Sequence, residues 1–235
     1  DAWRNPAIRT NTLPSCWLWL MRAQIGIPYF YGGIAKLNAD WLRGEPLRMW
    51  LAKRTDFPVI GRWFTEDWMV YLFSYAGLIL DLAFVPLLLW KRTRLAAYLL
   101  VLCFNGMNSM LFNIGIFPWM MIGASLLFFP PDWPRFRRKP DAAPSPHPVS
   151  VSGTKPALVF CAVFLTIQLL MPLRHWLYPG DVAWTEEGHY FSWRMKLRDK
   201  QADTSFVITD PAHGHTWEIE PGDFLTDRQK FRMNG

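Results

Sequence analysis

Residues 68–90 read "WMVYLFSYAGLILDLAFVPLLLW", an apolar run whose one charge is Asp81. A helix needs about 20 residues to cross the hydrocarbon core of a bilayer, so this run is a comfortable membrane span. Similar runs occupy residues 15–35, 95–111, 114–130 and 157–173. The first is also long enough, and the last three are slightly short unless their flanks help. The mean hydropathy of +0.04 is an average over these runs and the polar segments between them. The expected fold is mainly α, a polytopic transmembrane helical bundle of about five helices.

Two further patterns support the membrane reading. The chain has 14 Trp in 235 residues, and many stand at proposed boundaries, among them Trp17, Trp41, Trp68, Trp90, Trp119 and Trp133. Amphipathic rings collect where headgroups meet hydrocarbon. The net charge of +6 is unevenly spread. Residues 91–94, "KRTR", carry +3, and residues 131–156 carry five basic against two acidic residues. The connection from Lys36 to Asp67 is nearly balanced, with six against five, and the tail from Arg174 has eight against ten. Basic connections stay in the cytoplasm, which places Lys36 and the tail on the external or periplasmic side, as in a bacterial inner membrane. The basic excess therefore encodes topology, and no nucleic-acid partner is expected.

The domain reading is a partial transmembrane helical domain over 1–173, followed by the start of an extramembrane β-rich domain over 174–235. In "YFSWRMKLR", residues 190–198, apolar and polar residues alternate with the period of a half-buried strand. "TSFVITD" and "HTWEIE" offer two more strands around the turn "DPAHG". A small antiparallel sheet follows. Residues 131–155 are proline-rich and partly basic, a flexible loop in which His147 has no spaced partner. Cys16, Cys103 and Cys161 each fall in an apolar run as small buried hydrophobes. His213 and His215 lack a third ligand, so no metal is expected. The opening "DAWRNP" has neither Met nor a signal-peptide pattern, which suggests that an upstream portion precedes it.

Chemistry concentrates in two places. "YFYGGIAKLNADWLRG", residues 29–44, puts Lys36 at the end of the first span. Such a lysine either snorkels to headgroups or points into a cavity, where loss of water favours the neutral amine and makes it available as a base. Asn38 and Asp40 either orient groups beside it or cap the local turn. In "FNGMNSMLFNIGIFPW", residues 104–119, Asn105, Asn108 and Ser109 share a helix face, with Asn113 beyond. They line a polar recess or bond between helices. Arg22 and Gln24 in the first run should face other helices or an aqueous cavity, and Arg22 is a possible partner for Asp81. HExxH, P-loop and GxSxG patterns are missing, which disfavours metalloprotease, nucleotide hydrolase and serine hydrolase chemistry. An amine, amides and aromatic walls within a membrane suit a lipid-like or quinone-like ligand, for catalysis or for transport.

These blocks, with "PPDWPRF", "WTEEGHYFSWRMKLRD" and "EPGDFLTDRQKFRM", resemble in order the vitamin K-dependent gamma-glutamyl carboxylase family, including bacterial homologues with the horizontally transferred transmembrane (HTTM) domain. The resemblance implies a membrane enzyme that couples oxidation of reduced vitamin K, the hydroquinone, to its epoxide with carboxylation of peptide glutamate. Oxygen and carbon dioxide are the co-substrates, and the bilayer and a glutamate-containing peptide or protein are the partners. Lys36 falls on the base that deprotonates the reduced vitamin, and Asn105, Asn108 and Ser109 fall on the block that positions it. The animal carboxylases carry His where this chain has Asn105, and Asp where it has Asn38. An amide donates and accepts hydrogen bonds but does not transfer protons near neutral pH. Quinol oxidation without carboxylation, or noncatalytic binding or transport of an apolar ligand, is the alternative.

Overall fold

A computed structural model describes residues 15–112, 114–130, 133, 154–197 and 205–229. The chain divides into two compact units, Asp1–Leu197 and Arg198–Gly235. The first is helical: α1 (Ser15–Ala35), α2 (Ala39–Leu42), α3 (Glu45–Ala52), α4 (Asp67–Leu89), α5 (Arg94–Leu111), α6 (Phe117–Ser125), α7 (Thr154–Leu170) and α8 (Val182–Thr185). Short 3-10 turns stand before α4 and after α6 and α7. Each of the five apolar runs forms a helix. The run at 114–130 divides, because Gly115 turns the chain with φ 65° and Pro118 starts α6.

Among the described residues, Asp67–Leu89, Arg94–Leu111 and Lys155–Leu177 are long and apolar enough to cross a membrane, while Phe117–Phe128 is apolar but shorter. The expectation that the first run is a comfortable span needs correction on composition. Its 21 residues are long enough, but Arg22, Gln24 and several Trp and Tyr residues lower its apolarity. Its polar groups meet protein. Arg22 donates from Nε to Leu127 O at 3.0 Å and lies over the Trp19 and Phe128 rings; it is not the partner of Asp81. Gln24 Nε2 is buried with no hydrogen-bond partner among the described residues.

Two apolar layers hold this unit together. One joins α1, α4, α5 and α6 through Tyr29, Phe84, Leu88, Val101, Met121 and Phe128. The other sits at the end of the bundle where α1 gives way to α2 and α3, and includes Trp41, Leu47, Leu51, Phe64, Val70 and Leu111. The two helices α1 and α4 can meet closely because of Gly33. A Cβ there would come 2.6 Å from Leu82 Cδ2, inside any tolerable contact.

Trp68 and Trp90 stand exposed at the two ends of α4, and Trp119 is exposed on α6, as an aromatic belt requires. Trp41 is buried instead, with its indole Nε1 donating to Ser74 O at 2.9 Å.

The second unit carries β1 (Phe206–Thr209) and β2 (Thr216–Ile219), paired antiparallel with Phe206 opposite Ile219 and Thr209 opposite Thr216. At its turn Asp210 accepts from Ala212 N at 2.9 Å and pairs with His213 Nδ1 at 2.7 Å. The expected strand at 190–198 does not form over its described residues, 190–197. Phe191, Trp193 and Lys196 take left-handed φ values of 63°, 57° and 50°, which break the extended two-residue repeat. Asn113, His147 and nearly all of the loop 131–155 lie outside the described residues.

Candidate functional site

The end of α1 is built to present Lys36. The chain leaves the helix through a tight turn, with Lys36 N donating to Gly33 O at 3.1 Å. Asn38 secures the turn from both sides: its Nδ2 donates to Ala35 O at 2.8 Å, and its Oδ1 accepts from Trp41 N at 2.9 Å. One residue thus caps the last carbonyl of α1 and the third amide of α2, that of Trp41. Asn38 is committed to the backbone and Asp40 is exposed, so the capping alternative describes this stretch.

The Lys36 side chain turns inward and is only 12% exposed. Its Nζ donates to Asp81 Oδ2 at 2.5 Å and to Gly32 O at 3.4 Å, and lies 5.2 Å from the Trp41 ring centroid. The Asp81 side chain is 8% exposed, so neither charge is free to hydrate. A buried charge without a partner is very costly, and each of these is the other's compensation. Gly32 makes room. A Cβ at that position would touch Asp81 Oδ2 at 3.5 Å and Trp193 O at 3.7 Å, so a larger side chain would compete with the pair.

This pair opens onto a cavity of about 380 Å³ between α1, α4 and α5. Its walls are mostly aromatic and aliphatic, including Tyr29, Trp41, Trp50, Phe73, Phe104 and Phe112, with Lys36, Asp81, Asn105 and Asn108 as polar groups. Asn105 is buried, and its Nδ2 donates to Tyr29 OH at 3.1 Å and Val101 O at 3.0 Å. Both amide protons are spent, while Oδ1 receives no donor among the described residues. Asn108 makes no side-chain hydrogen bond among them, and so keeps a donor and an acceptor for a ligand. Ser109 does not line the cavity; its hydroxyl donates to Gly106 O at 2.7 Å within α5.

A strap formed by the residues after α8 closes one side. Met195 and Lys196 line the cavity, Trp193 packs near Phe117 at 6.5 Å between ring centroids, and Leu197 joins the second apolar layer. Sequence reading missed this role, because the alternation at 190–197 pointed to a strand. It also missed the Lys36–Asp81 pairing, although each residue was conspicuous as a charge within an apolar run.

The arrangement combines a buried ion pair, an amide oxygen and a second amide without partners among the described residues, and a mostly apolar room of ligand size. Residues 1–133 match the HTTM domain family, and residues 154–235 match the vitamin K-dependent gamma-carboxylase lumenal domain. No solved structure matches the chain.

Proposed function

The chain belongs to the HTTM domain family and to the vitamin K-dependent gamma-glutamyl carboxylases, and from that membership we propose that it oxidises reduced vitamin K to the epoxide and uses this reaction to carboxylate peptide glutamate. It is an integral membrane protein of carboxylase type. Our reading adds the reaction, the bacterial inner membrane, and the placement of Lys36 and the C-terminal unit on the periplasmic or external face. The charge asymmetry of the connections supports that orientation.

The observation that carries the proposal is the buried Lys36–Asp81 pair facing a mostly apolar cavity. The residues fit a reduced quinone. Aromatic and aliphatic walls suit a ring, the pair suits an acidic hydroxyl, and Asn105 Oδ1 and an unengaged Asn108 amide suit polar groups on a ligand. When bound, the vitamin supplies through its oxidation by oxygen a base strong enough for the γ-proton of glutamate, which an amine is not. Lys36 acts from the uncharged form of the pair, in which its proton rests on Asp81: Nζ then takes up the proton of a ligand hydroxyl, and release of the Asp81 proton to water leaves carboxylate and ammonium paired. The apolar walls exclude water that would quench reactive species.

The test is reconstitution of the complete protein with reduced vitamin K, oxygen, bicarbonate and a glutamate-containing peptide, following epoxide and peptide mass together. Epoxide and a mass gain of one carbon dioxide are expected, both lost in Lys36→Ala. Conversion equal to that of Lys36→Ala overturns the proposal, and epoxide without a mass gain identifies quinol oxidation alone.

A further inference from the structure

The chain has three Cys, and the fold brings two of them together. Cys16 stands in the first turn of α1 and Cys161 in the first half of α7, with their thiols hydrogen-bonded to each other. Cys161 is buried and Cys16 half-buried. The neighbouring contacts agree with this meeting. The Trp17 and Phe160 ring centroids are 5.9 Å apart, and farther along the same two helices Tyr31 OH donates to Leu169 O at 2.6 Å, so α1 and α7 run side by side in the same direction. Cys103 is exposed on α5, at the cavity wall. The Cys16–Cys161 contact also crosses a seam. α1 lies in the part that matches the HTTM family, and α7 opens the part that matches the lumenal domain. Leu158, Val159, Val163 and Ile167 leave the outer face of α7 exposed, and α1 is the helix against which it chiefly packs. An Ala at either cysteine position would permit the same close approach. Two touching thiols add what Ala lacks, a bond that can form with little movement of either helix.

We propose that Cys16 and Cys161 are a modification site, a reversible disulfide formed by hydrogen peroxide that staples the HTTM part of the chain to the first helix of the lumenal part. Peroxide oxidises the Cys16 thiol, the more accessible of the two, to the sulfenic acid and leaves one water. The Cys161 sulfur then attacks the Cys16 sulfur, the S–S bond forms, and the sulfenic oxygen departs with the Cys161 proton as a second water. Two thiols and one peroxide thus become one disulfide and two waters. A hydroquinone in oxygen is a source of this oxidant, because it passes two electrons and two protons to O2 and becomes a quinone. The bond closes the chain between positions 16 and 161, which restricts the unfolded state and should raise the resistance of this unit to unfolding.

The complete protein, reduced and in nanodiscs without vitamin, is titrated with hydrogen peroxide, denatured in excess iodoacetamide, digested and mapped by mass spectrometry. Cys16 and Cys161 are expected to lose alkylation together and to appear in one linked peptide of a single protein molecule, while Cys103 stays alkylated; dithiothreitol should return both sites. The thermal unfolding midpoint should rise on oxidation of the wild type and stay where it is in Cys16→Ala and in Cys161→Ala. No linked peptide, a link that includes Cys103, or a link between two protein molecules overturns the proposal. So does a midpoint that rises equally in the two variants. The assay involves neither vitamin nor turnover, so its result stands whether or not epoxide forms in the reconstitution.

Discussion

Removing one member of the Lys36–Asp81 pair should damage the fold more than removing both. Asp81 is 8% exposed and Lys36 is its hydrogen-bonding partner among the described residues. Lys36→Met therefore strands a carboxylate between α1 and α4, and breaking a buried pair in this way costs about 3–5 kcal/mol. Asp81→Leu should cost less, because Lys36 keeps the Gly32 carbonyl and the Trp41 ring. The double variant Lys36→Met/Asp81→Leu restores an all-apolar contact, and replacement of a buried pair by packed apolar groups is often neutral or better. Its stability should lie within about 1–2 kcal/mol of the wild type. Denaturant unfolding in mixed micelles, followed by tryptophan emission, measures all four proteins. A double variant as unstable as the sum of the singles would refute the view that the two charges exist to compensate each other. Vitamin epoxidation should be lost in the restored double variant as well, which separates the chemical role of the pair from its structural one.

Further outcomes follow from particular contacts. Gly33→Ala places a Cβ 2.6 Å from Leu82 Cδ2 and should cost about 1–3 kcal/mol by overpacking, with Leu82→Ala recovering part of the loss in the same unfolding assay; a fully stable Gly33→Ala protein would contradict the close α1–α4 approach. Trp41→Phe removes the indole donor from Ser74 O and should lower stability by about 1–3 kcal/mol, so an unchanged unfolding midpoint argues against that bond. The Ala212 backbone N–H, and then His213, hold the Asp210 carboxyl below its ordinary range. The folded turn thus favours the carboxylate, a contribution complete above pH of about 4 and lost as pH falls through the lower folded value. Amide exchange across residues 210–216 should quicken in that acid range, and Asp210→Asn should abolish the acid limb; an acid limb that persists in the variant would assign it elsewhere.

The helices were legible because apolar length is a local property. Residues 68–90 and 95–111 announce their spans without reference to anything else, and the structure begins and ends α4 and α5 within a residue of those runs. The strands around "DPAHG" were legible for the same reason. What could not be read was partnership. Asp81 and Lys36 are 45 positions apart, and nothing in their spacing distinguishes that pairing from Asp81 with Arg22. The strap failed differently. Alternation at 190–197 is a true pattern of side chains, but backbone packing against Phe117 and the α2–α3 layer imposes left-handed turns that the pattern does not encode. That Met195 and Lys196 line the cavity could not be read from the sequence, because the cavity is assembled from other helices.

The location of Lys36 reconciles the two roles that a lysine at a span boundary can have. A base sunk at the bilayer midplane could take a proton from its ligand, but it would have no route by which to return that proton to water. A snorkelling lysine has the route, but its amine is hydrated and far from any enclosed ligand. Lys36 stands one residue beyond α1, yet its side chain points back along the helix to Gly32 O and Asp81. Its backbone therefore lies at the end of α1 while its amine faces the cavity, and on the proposed reading the residual 12% exposure serves as its path for proton exchange. The strap residues Met195 and Lys196 lie over this same cavity. A peptide engaged there would shield the amine during chemistry, and its departure would reopen the path. The expected consequence is measurable: solvent deuterium exchange and proton return should be faster in the absence of the glutamate peptide than in its presence. Proton return that is indifferent to the peptide would mean that Lys36 communicates with water by a route that the strap does not cover.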